Sequence, residues 1–436
     1  MKANPNGRHI SFWTATSFIV ASMIGTGVFT SLGFQLIEIK SIFPLLMLWV
    51  TGGIVALAGA LTYAELGTAF PRSGGEYNLL SRIIHPSIGF SAGVVSSTIG
   101  FTAPAVLAAM ALGNYLSAII PFINPNFIAF IIIVIIHYLH MSSIRWGMIF
   151  QDYSTLIKIG LIFIFIAFGL TTNRLESLSI MPVSGDAQII MSSSFAISLV
   201  WVSYAYTGWN SSIYISGELI NPKINISKVM IYATIFVMIL YVLLNYVFLY
   251  TTPIESMVGQ IDIGYLAGVQ VFGDIGGMIM GLSISILLLS TVSSYIYIGP
   301  RIMQIMGEDH LFLKILKYKN SNGIPINAFL VQLSLALLFI ITSSFEQVLM
   351  YAGVTLIITT TLTVISLFIS RYYEPKLDRP YKVIGYPFIP LLYLLANVWI
   401  LYFSFKEHTL ESMVGICIII GSVFLFWLLK RVGSFS

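Results

Sequence analysis

Apolar positions in this chain come in long unbroken runs, not in the one-sided stripes of a soluble helix. The runs are Ile10–Leu36, Phe43–Phe70, Ile88–Ile120, Phe127–Met141, Met148–Leu170, Ile189–Ile215, Val229–Tyr250, Met278–Ile298, Ile326–Thr342, Val348–Ile369, Tyr386–Phe403 and Met413–Leu429. A membrane span needs about 20 mostly apolar residues. Backbone in lipid must satisfy its own hydrogen bonds, so such runs read as helices and not as barrel strands. The pattern predicts an all-α membrane protein with about twelve transmembrane helices, spans one to twelve. The polar stretches between them are short, the longest being Asn173–Gln188, Met306–Pro325 and Arg371–Gly385. A single transmembrane domain over 1–436 is expected.

Composition agrees: 57% of the 436 residues are hydrophobic and 9% charged, against about 25% charged in a soluble domain. The net charge of +4 suggests an anionic partner until its distribution is read. With the N-terminus inside, only Lys40, Arg174 and Lys406 fall outside and Lys158 sits within a span. Every other Lys and Arg is on a cytoplasmic segment. The positive-inside rule then predicts a multi-pass protein of the cell membrane with both termini cytoplasmic. The basic excess is topology, and no nucleic acid is implied. Lys2 and Arg8 before an apolar run mimic a signal peptide, but the run is too long for an h-region and lacks a small-residue cleavage site. Cys417, in span twelve, is the one cysteine. It excludes an intramolecular disulfide and argues against a covalent extracellular partner.

Two runs are interrupted where a helix should be most secure. Span one carries Gly25-Thr26-Gly27 near its middle, and span six carries Tyr206-Thr207-Gly208. Glycine costs about 1 kcal/mol per residue against alanine inside a helix. One such cluster reads as close helix packing. Two clusters, followed by similarly spaced runs, read as paired broken helices in two copies of opposite orientation. Repeat one covers about 10–170, repeat two about 189–370, and spans eleven and twelve, about 386–429, lie outside. Paired interruptions in inverted repeats point to a secondary transporter's binding site.

Unwinding exposes carbonyls that end one half-helix and N–H groups that start the next, with partial charges from the half-helix dipoles. An α-amino acid zwitterion matches both. The N–H groups of Thr26, Gly27 and Val28 suit a carboxylate. The carbonyls of Met23 and Ile24, with those of Tyr204 and Ala205, suit an ammonium. Glycine at 25, 27 and 208 permits the turn, and at Gly27 and Gly208 bare backbone is expected to adjoin the ligand.

Several segments carry a resemblance. "MIGTGVF", Met23 to Phe29, is similar to the first-helix motif of the amino acid–polyamine–organocation transporter superfamily. "GALTYAELGTAFPRSGGEY", Gly59 to Tyr77, resembles the second-helix and loop signature of its L-type amino acid transporter branch. "YAYTGWN" (Tyr204 to Asn210), "LYVLLNY" (Leu240 to Tyr246) and "GPRIMQIMGEDHLF" (Gly299 to Phe312) resemble that branch's sixth, seventh and eighth helices. The resemblance implies a LeuT-like inverted repeat of helices 1–5 and 6–10 with helices 1 and 6 broken. It also implies alternating access and sodium-independent exchange of neutral amino acids. It makes Tyr204 a gating aromatic and puts Asn210 and Tyr241 near the substrate. Where the branch often has glycine, Thr207 narrows the side-chain pocket. Where it often has serine, this chain has Pro300. Some members of the branch are disulfide-linked to an accessory glycoprotein through a cysteine between helices three and four. "AIIPFINPNF", from Ala118, has none, so no disulfide-linked heavy subunit is expected.

Lys158 lies about 15 Å from the cytoplasmic end of span five at 1.5 Å per residue. A central charge costs about 2.5–3.5 kcal/mol even on the lenient insertion scale, so it should have partners and a purpose. In the superfamily that the motifs resemble, a lysine here takes the place of a sodium ion. Helix-one carbonyls and Ser293 or Ser294 are its expected partners. Glu65, near the cytoplasmic end of span two, reads as half of a structural ion pair. Glu218 and Asp152 sit at cytoplasmic ends and are candidates for gating contacts. His137 and His140 have helical spacing but no cysteine or carboxylate cluster beside them, so packing is favoured over a metal site. No cofactor is implied, and no nucleophile or acid–base pair at membrane depth suggests an enzyme. The expected function is a secondary transporter of neutral amino acids, an exchanger first and a proton-coupled symporter or facilitator second. A channel would need a continuous polar pore lining, and a sensor would usually add a soluble output domain.

Overall fold

The computed structural model describes residues 10–142, 145–172 and 180–431, and for residues 145–155 the helix path alone. Span one is divided into α1 (Phe12–Met23) and α2 (Thr26–Glu38), and span two is α3 (Ile42–Ala69). A short α4 (Gly75–Ile83) lies on the following loop. Span three comprises α5 (Pro86–Val95), a π-helical turn at Ser96–Gly100, and α6 (Thr102–Ile119); α7 (Pro125–Ser142) and α8 (Arg145–Thr171) are spans four and five. A short α9 (Asp186–Ile190) precedes α10 (Ser193–Ala205), the helical part of span six. Then come α11 (Pro222–Thr251), a short α12 (Ile254–Met257), and α13 (Ile263–Asp309). Spans nine to twelve are α14 (Ile326–Thr342), α15 (Phe345–Tyr373), α16 (Phe388–Glu407) and α17 (Thr409–Arg431).

Among the described residues, nine helical stretches are long and apolar enough to cross a membrane. Three shorter apolar helices, Leu156–Thr171, Ser193–Ala205 and Ile326–Thr342, stand at the predicted spans five, six and nine. The chain is an all-α, multi-pass membrane protein.

Three spans depart from the simple pattern. Span six stays helical only to Ala205, and the chain then continues as turns and a 3-10 segment at Ser211–Ile213, not as a second α-helix. Gly208 has φ of +110° and Asn221 of +48°. Asn210, Ser211 and Ser212 also carry short polar side chains that compete with helical backbone bonds. In span three, the Thr102 hydroxyl donates to the Ser97 carbonyl at 2.7 Å across the widened turn, and such π-turns concentrate at functional sites. Span eight runs well beyond the predicted Met278–Ile298, with one break at Gly273, φ +74°.

The most extensive helix contacts are α6 against α13 and α3 against α11. Alanines 103, 105, 108, 109 and 111 make α6 narrow and are all buried, which lets neighbouring helices approach closely. At one end of the bundle Arg72 pairs with Asp309 (3.3 Å), Arg82 with Glu374 (2.8 Å) and Lys223 with Asp378 (2.9 Å). The backbone of Ile10 also bridges to Glu218 and Ile220. The segments after spans two, six, eight and ten thus share one end, as the positive-inside pattern predicts. Exposed pairs of this kind add little stability each. Lys2, Arg8 and Arg174 lie outside the described residues, and the side chains of Arg145 and Asp152 outside those described.

Candidate substrate site

The interruption in span one falls at Ile24 and Gly25. The N–H groups of Ile24 and Gly25 bond the carbonyls of Val20 (2.9 Å) and Met23 (2.8 Å). Gly25, at φ −127° and ψ −146°, then starts α2, and no side chain caps it. This leaves the N–H groups of Thr26, Gly27 and Val28 without intrahelical acceptors, at the positive end of the α2 dipole. Val28 is fully buried and Thr26 nearly so.

The last carbonyls of α1 are each taken by a side chain from another helix. Tyr295 of α13 donates its hydroxyl to the Ser22 carbonyl at 3.1 Å. Tyr241 of α11 donates to the Met23 carbonyl at 2.5 Å and reaches the Ala205 carbonyl at 3.2 Å. Lys158 of α8 donates its ammonium to the Ile24 carbonyl at 3.2 Å and to the Thr291 hydroxyl at 2.7 Å. Lys158 is 1% exposed, so snorkelling to the interface is excluded as its role. Its expected carbonyl partner is found, but its hydroxyl partner is Thr291 and not Ser293 or Ser294. The helical rotation explains the difference. Ser293 points to α7, where it meets His140 Nε2 at 2.8 Å, and the Ser294 hydroxyl bonds back to the Ser290 carbonyl at 2.8 Å. His137 likewise bonds its own helix at the Ile133 carbonyl. Both histidines pack in the core, and no metal-binding group occurs among the described residues.

The two interruptions touch each other. A Cβ on Gly27 would collide with Ala205 Cα, and one on Gly208 would lie 2.8 Å from the Ser22 carbonyl carbon. Tyr204 comes within 3.4 Å of the Thr26 hydroxyl. Protein atoms of Ala205 and Ser22 therefore stand beside Gly27 and Gly208, where the sequence reading expects the ligand. Gly25 differs. A Cβ there meets only Thr291 Cγ2 at 3.4 Å and the Met23 oxygen at 3.9 Å, both ordinary contacts. Gly25→Ala should therefore fold with little change in melting temperature while crowding the α2 N-terminus. The expected result is amino acid binding weakened by about tenfold or more, near 1.4 kcal/mol, read by scintillation proximity or calorimetry. Unchanged affinity would remove the carboxylate site from that N-terminus.

Behind the interruption in span six lies a cavity of about 80 Å³ lined by Tyr204, Thr207, Gly208 and Asn210 among the predicted residues. Met23 to Val28 and Tyr241 lie outside this lining, beyond the contact of Gly27 with Ala205. A larger cavity of about 310 Å³, lined by Glu218, Ser293, Ser294 and Arg301, opens among the start of α1, the span-six turns and α13. Phe101, Ser211 and Tyr214 belong to both walls.

Sequence reasoning missed Glu76, Tyr214, Thr291 and Tyr295. Glu76 sits in a polar loop that gives no sign of burial, yet it is 2% exposed. Gly74 and Gly75, at φ +122° and +59°, turn the chain inward there. A Cβ on Gly75 would collide with the Tyr214 ring. The pair of glycines before a glutamate was the available signal.

Residues 10–424 match the model of a family described as amino acid permease. The chain is 25% identical to the large neutral amino acids transporter small subunit 2 of Mus musculus, over 97% of this chain and 81% of the relative. It is 25% identical to the Asc-type amino acid transporter 1 of Mus musculus over the same shares. To the b(0,+)-type amino acid transporter 1 of Mus musculus it is 25% identical over 92% of this chain and 83% of the relative. With the match spanning nearly every helix described above, the chain belongs to the amino acid permease family.

Proposed function

We propose that this chain is a sodium-independent transporter of neutral amino acids, an exchanger that works by alternating access. The observation that carries the reading is the middle of span one, where an uncapped helix N-terminus faces the core beside a bonded set of carbonyls. A zwitterion presents its carboxylate to that N-terminus and its ammonium to carbonyls that Tyr241 now holds. The relatives, amino acid transporters by name and one of them for large neutral amino acids, support the substrate class. Lys158 supplies the positive charge that a sodium ion would bring. The interruptions at Gly25 and Gly208 support two inverted repeats, about 10–170 and 189–370, with 386–429 outside them. The charge distribution supports a cell-membrane protein with cytoplasmic termini.

The test is uptake of labelled amino acids into proteoliposomes with and without internal amino acid. Accumulation only with internal substrate means exchange. Uptake into empty vesicles driven by a pH gradient favours proton-coupled symport, a second reading that the buried carboxyl of Glu76 supports. A passive ion current without uptake would overturn both.

One of these relatives is a small subunit by name. Here residues 118–127 hold no cysteine, and Cys417, exposed on α17, is the chain's one thiol. The purified single chain is therefore expected to transport, without a disulfide-linked heavy subunit. An absolute requirement for a second subunit in reconstituted vesicles would sink this expectation.

A further inference from the structure

Glu76 brings one buried carboxyl to the turns that follow α10. Its Oε1 accepts the Asn210 amide at 2.5 Å and the Tyr63 hydroxyl at 3.2 Å. Its Oε2 accepts the Tyr214 hydroxyl. Asn210 and Tyr214 flank the 3-10 turn Ser211–Ile213, so one carboxyl pins both ends of the turn that replaces helix in span six. Tyr214 lies in the wall between the two cavities. It is braced there by the Ser96 hydroxyl at 3.3 Å and by Phe101 edge-on at 5.4 Å. The next residue, Tyr77, donates to Asp309 at 2.8 Å, so α4 also ties this wall to the end of α13.

No cation balances Glu76 among the described residues. The titratable groups facing it are the phenols Tyr63 of α3, Tyr214 and Tyr393 of α16. Just before α5, His85 instead stacks on Trp427, and at the end of α15, Arg371 and Glu374 pair with Glu65 and Arg82. A buried carboxyl with neutral donors and no countercharge is poised between two states. The donors favour the anion and burial favours the acid.

We propose that Glu76 is a proton-binding site that latches the wall between the inner cavity and the larger one. Ionised, it holds Asn210 and Tyr214 by charge-assisted hydrogen bonds, which are roughly twice as strong as neutral ones. Protonated on Oε2, it gives up the acceptor that holds Tyr214 and releases that phenol, while Oε1 keeps Asn210 by a weaker, neutral hydrogen bond. Burial pushes its carboxyl up from the ordinary value, against the downward pull of Tyr214, Asn210 and Tyr63. The protonated fraction therefore grows as pH falls, beginning above the usual carboxylate range. The proposal rests on the transporter reading for its purpose, but its test needs no transport.

Two measurements decide it. Difference infrared spectra of the purified protein between mildly alkaline and mildly acidic buffer should show a protonated-carboxyl band that Glu76→Gln removes. In a Cys417→Ser background, Thr207→Cys places a thiol on the inner cavity. At neutral pH, Glu76→Gln should speed its labelling by about tenfold through the weakened latch. Tyr214→Phe should do the same while keeping the infrared band, and carries the test if Glu76→Gln fails to fold. A band that survives Glu76→Gln, or equal labelling with and without the latch bonds, would overturn the proposal. Exchange that is absent at every pH, with the band and the labelling change present, supports the latch and counts against the transporter reading alone.

Discussion

Lys158→Ala should slow amino acid exchange by about 10- to 100-fold, the rate equivalent of one to two powers of ten at 1.36 kcal/mol each. The wild-type ammonium joins the end of α1, through the Ile24 carbonyl, to α13 through the Thr291 hydroxyl. Hydrogen bonds to a charged group are worth about 1.5–3 kcal/mol each. Alanine leaves both acceptors in the core without that donor and loosens the interrupted helix from α8 and from α13, to which Tyr295 alone of these donors still ties it through the Ser22 carbonyl. Binding at the α2 N-terminus should survive in part, because that site does not use the ammonium. The assay is uptake in choline-based buffer, with wild type beside Lys158→Ala and Lys158→Met, the latter keeping the stem but not the charge. Wild-type uptake that collapses without sodium, or normal transport by the methionine variant, would end the idea that Lys158 stands in for an ion.

The largest loss of stability is expected at Glu65, where Glu65→Ala should lower unfolding free energy by about 3–5 kcal/mol, the usual consequence of breaking a buried charge pair on one side. Glu65 is fully buried. Arg371 donates to it through two nitrogens at 2.9 and 2.6 Å, Arg379 pairs with it at 3.1 Å, and the Val383 N–H donates at 2.8 Å. Removing the carboxylate leaves two guanidiniums facing each other near the end of α15. Arg371 also lies 3.8 Å over the Tyr386 ring, so the loop between α15 and α16 should loosen first. Thermal unfolding in detergent, together with proteolysis of residues 374–387, checks both points. A melting temperature equal to wild type would mean that α3 is held to this loop by other contacts. Sequence reasoning expected a structural ion pair at Glu65, and two arginines meet it.

Much of the architecture was legible because lipid imposes a simple rule on backbone. Each apolar run had to become a helix, and each predicted span has a helix in the structure. The interruptions were legible for the same reason. Glycine beside a β-branched residue in mid-span is unfavourable as helix, and Gly25 and Gly208 do leave helical geometry. Lys158 stood out because an ammonium in such a run demands partners. The failures share a cause as well. Thr291 and not Ser293 reaches Lys158 because the rotation of α13 about its axis is set by packing against α6, α7 and α8. The second half of span six is turns and not helix, because the approach of Ser22 to Gly208 and the hold of Glu76 on Asn210 and Tyr214 decide its path. Glu76 looked like a loop residue until two left-handed glycines carried it inward to Asn210 and Tyr214. By itself the sequence determined which segments are helical, where two of them break, and which charge is stranded in the core, since these result from transferring local groups out of water. Only the tertiary structure decided which donor meets which acceptor, because that depends on the relative rotation and approach of helices far apart in the chain.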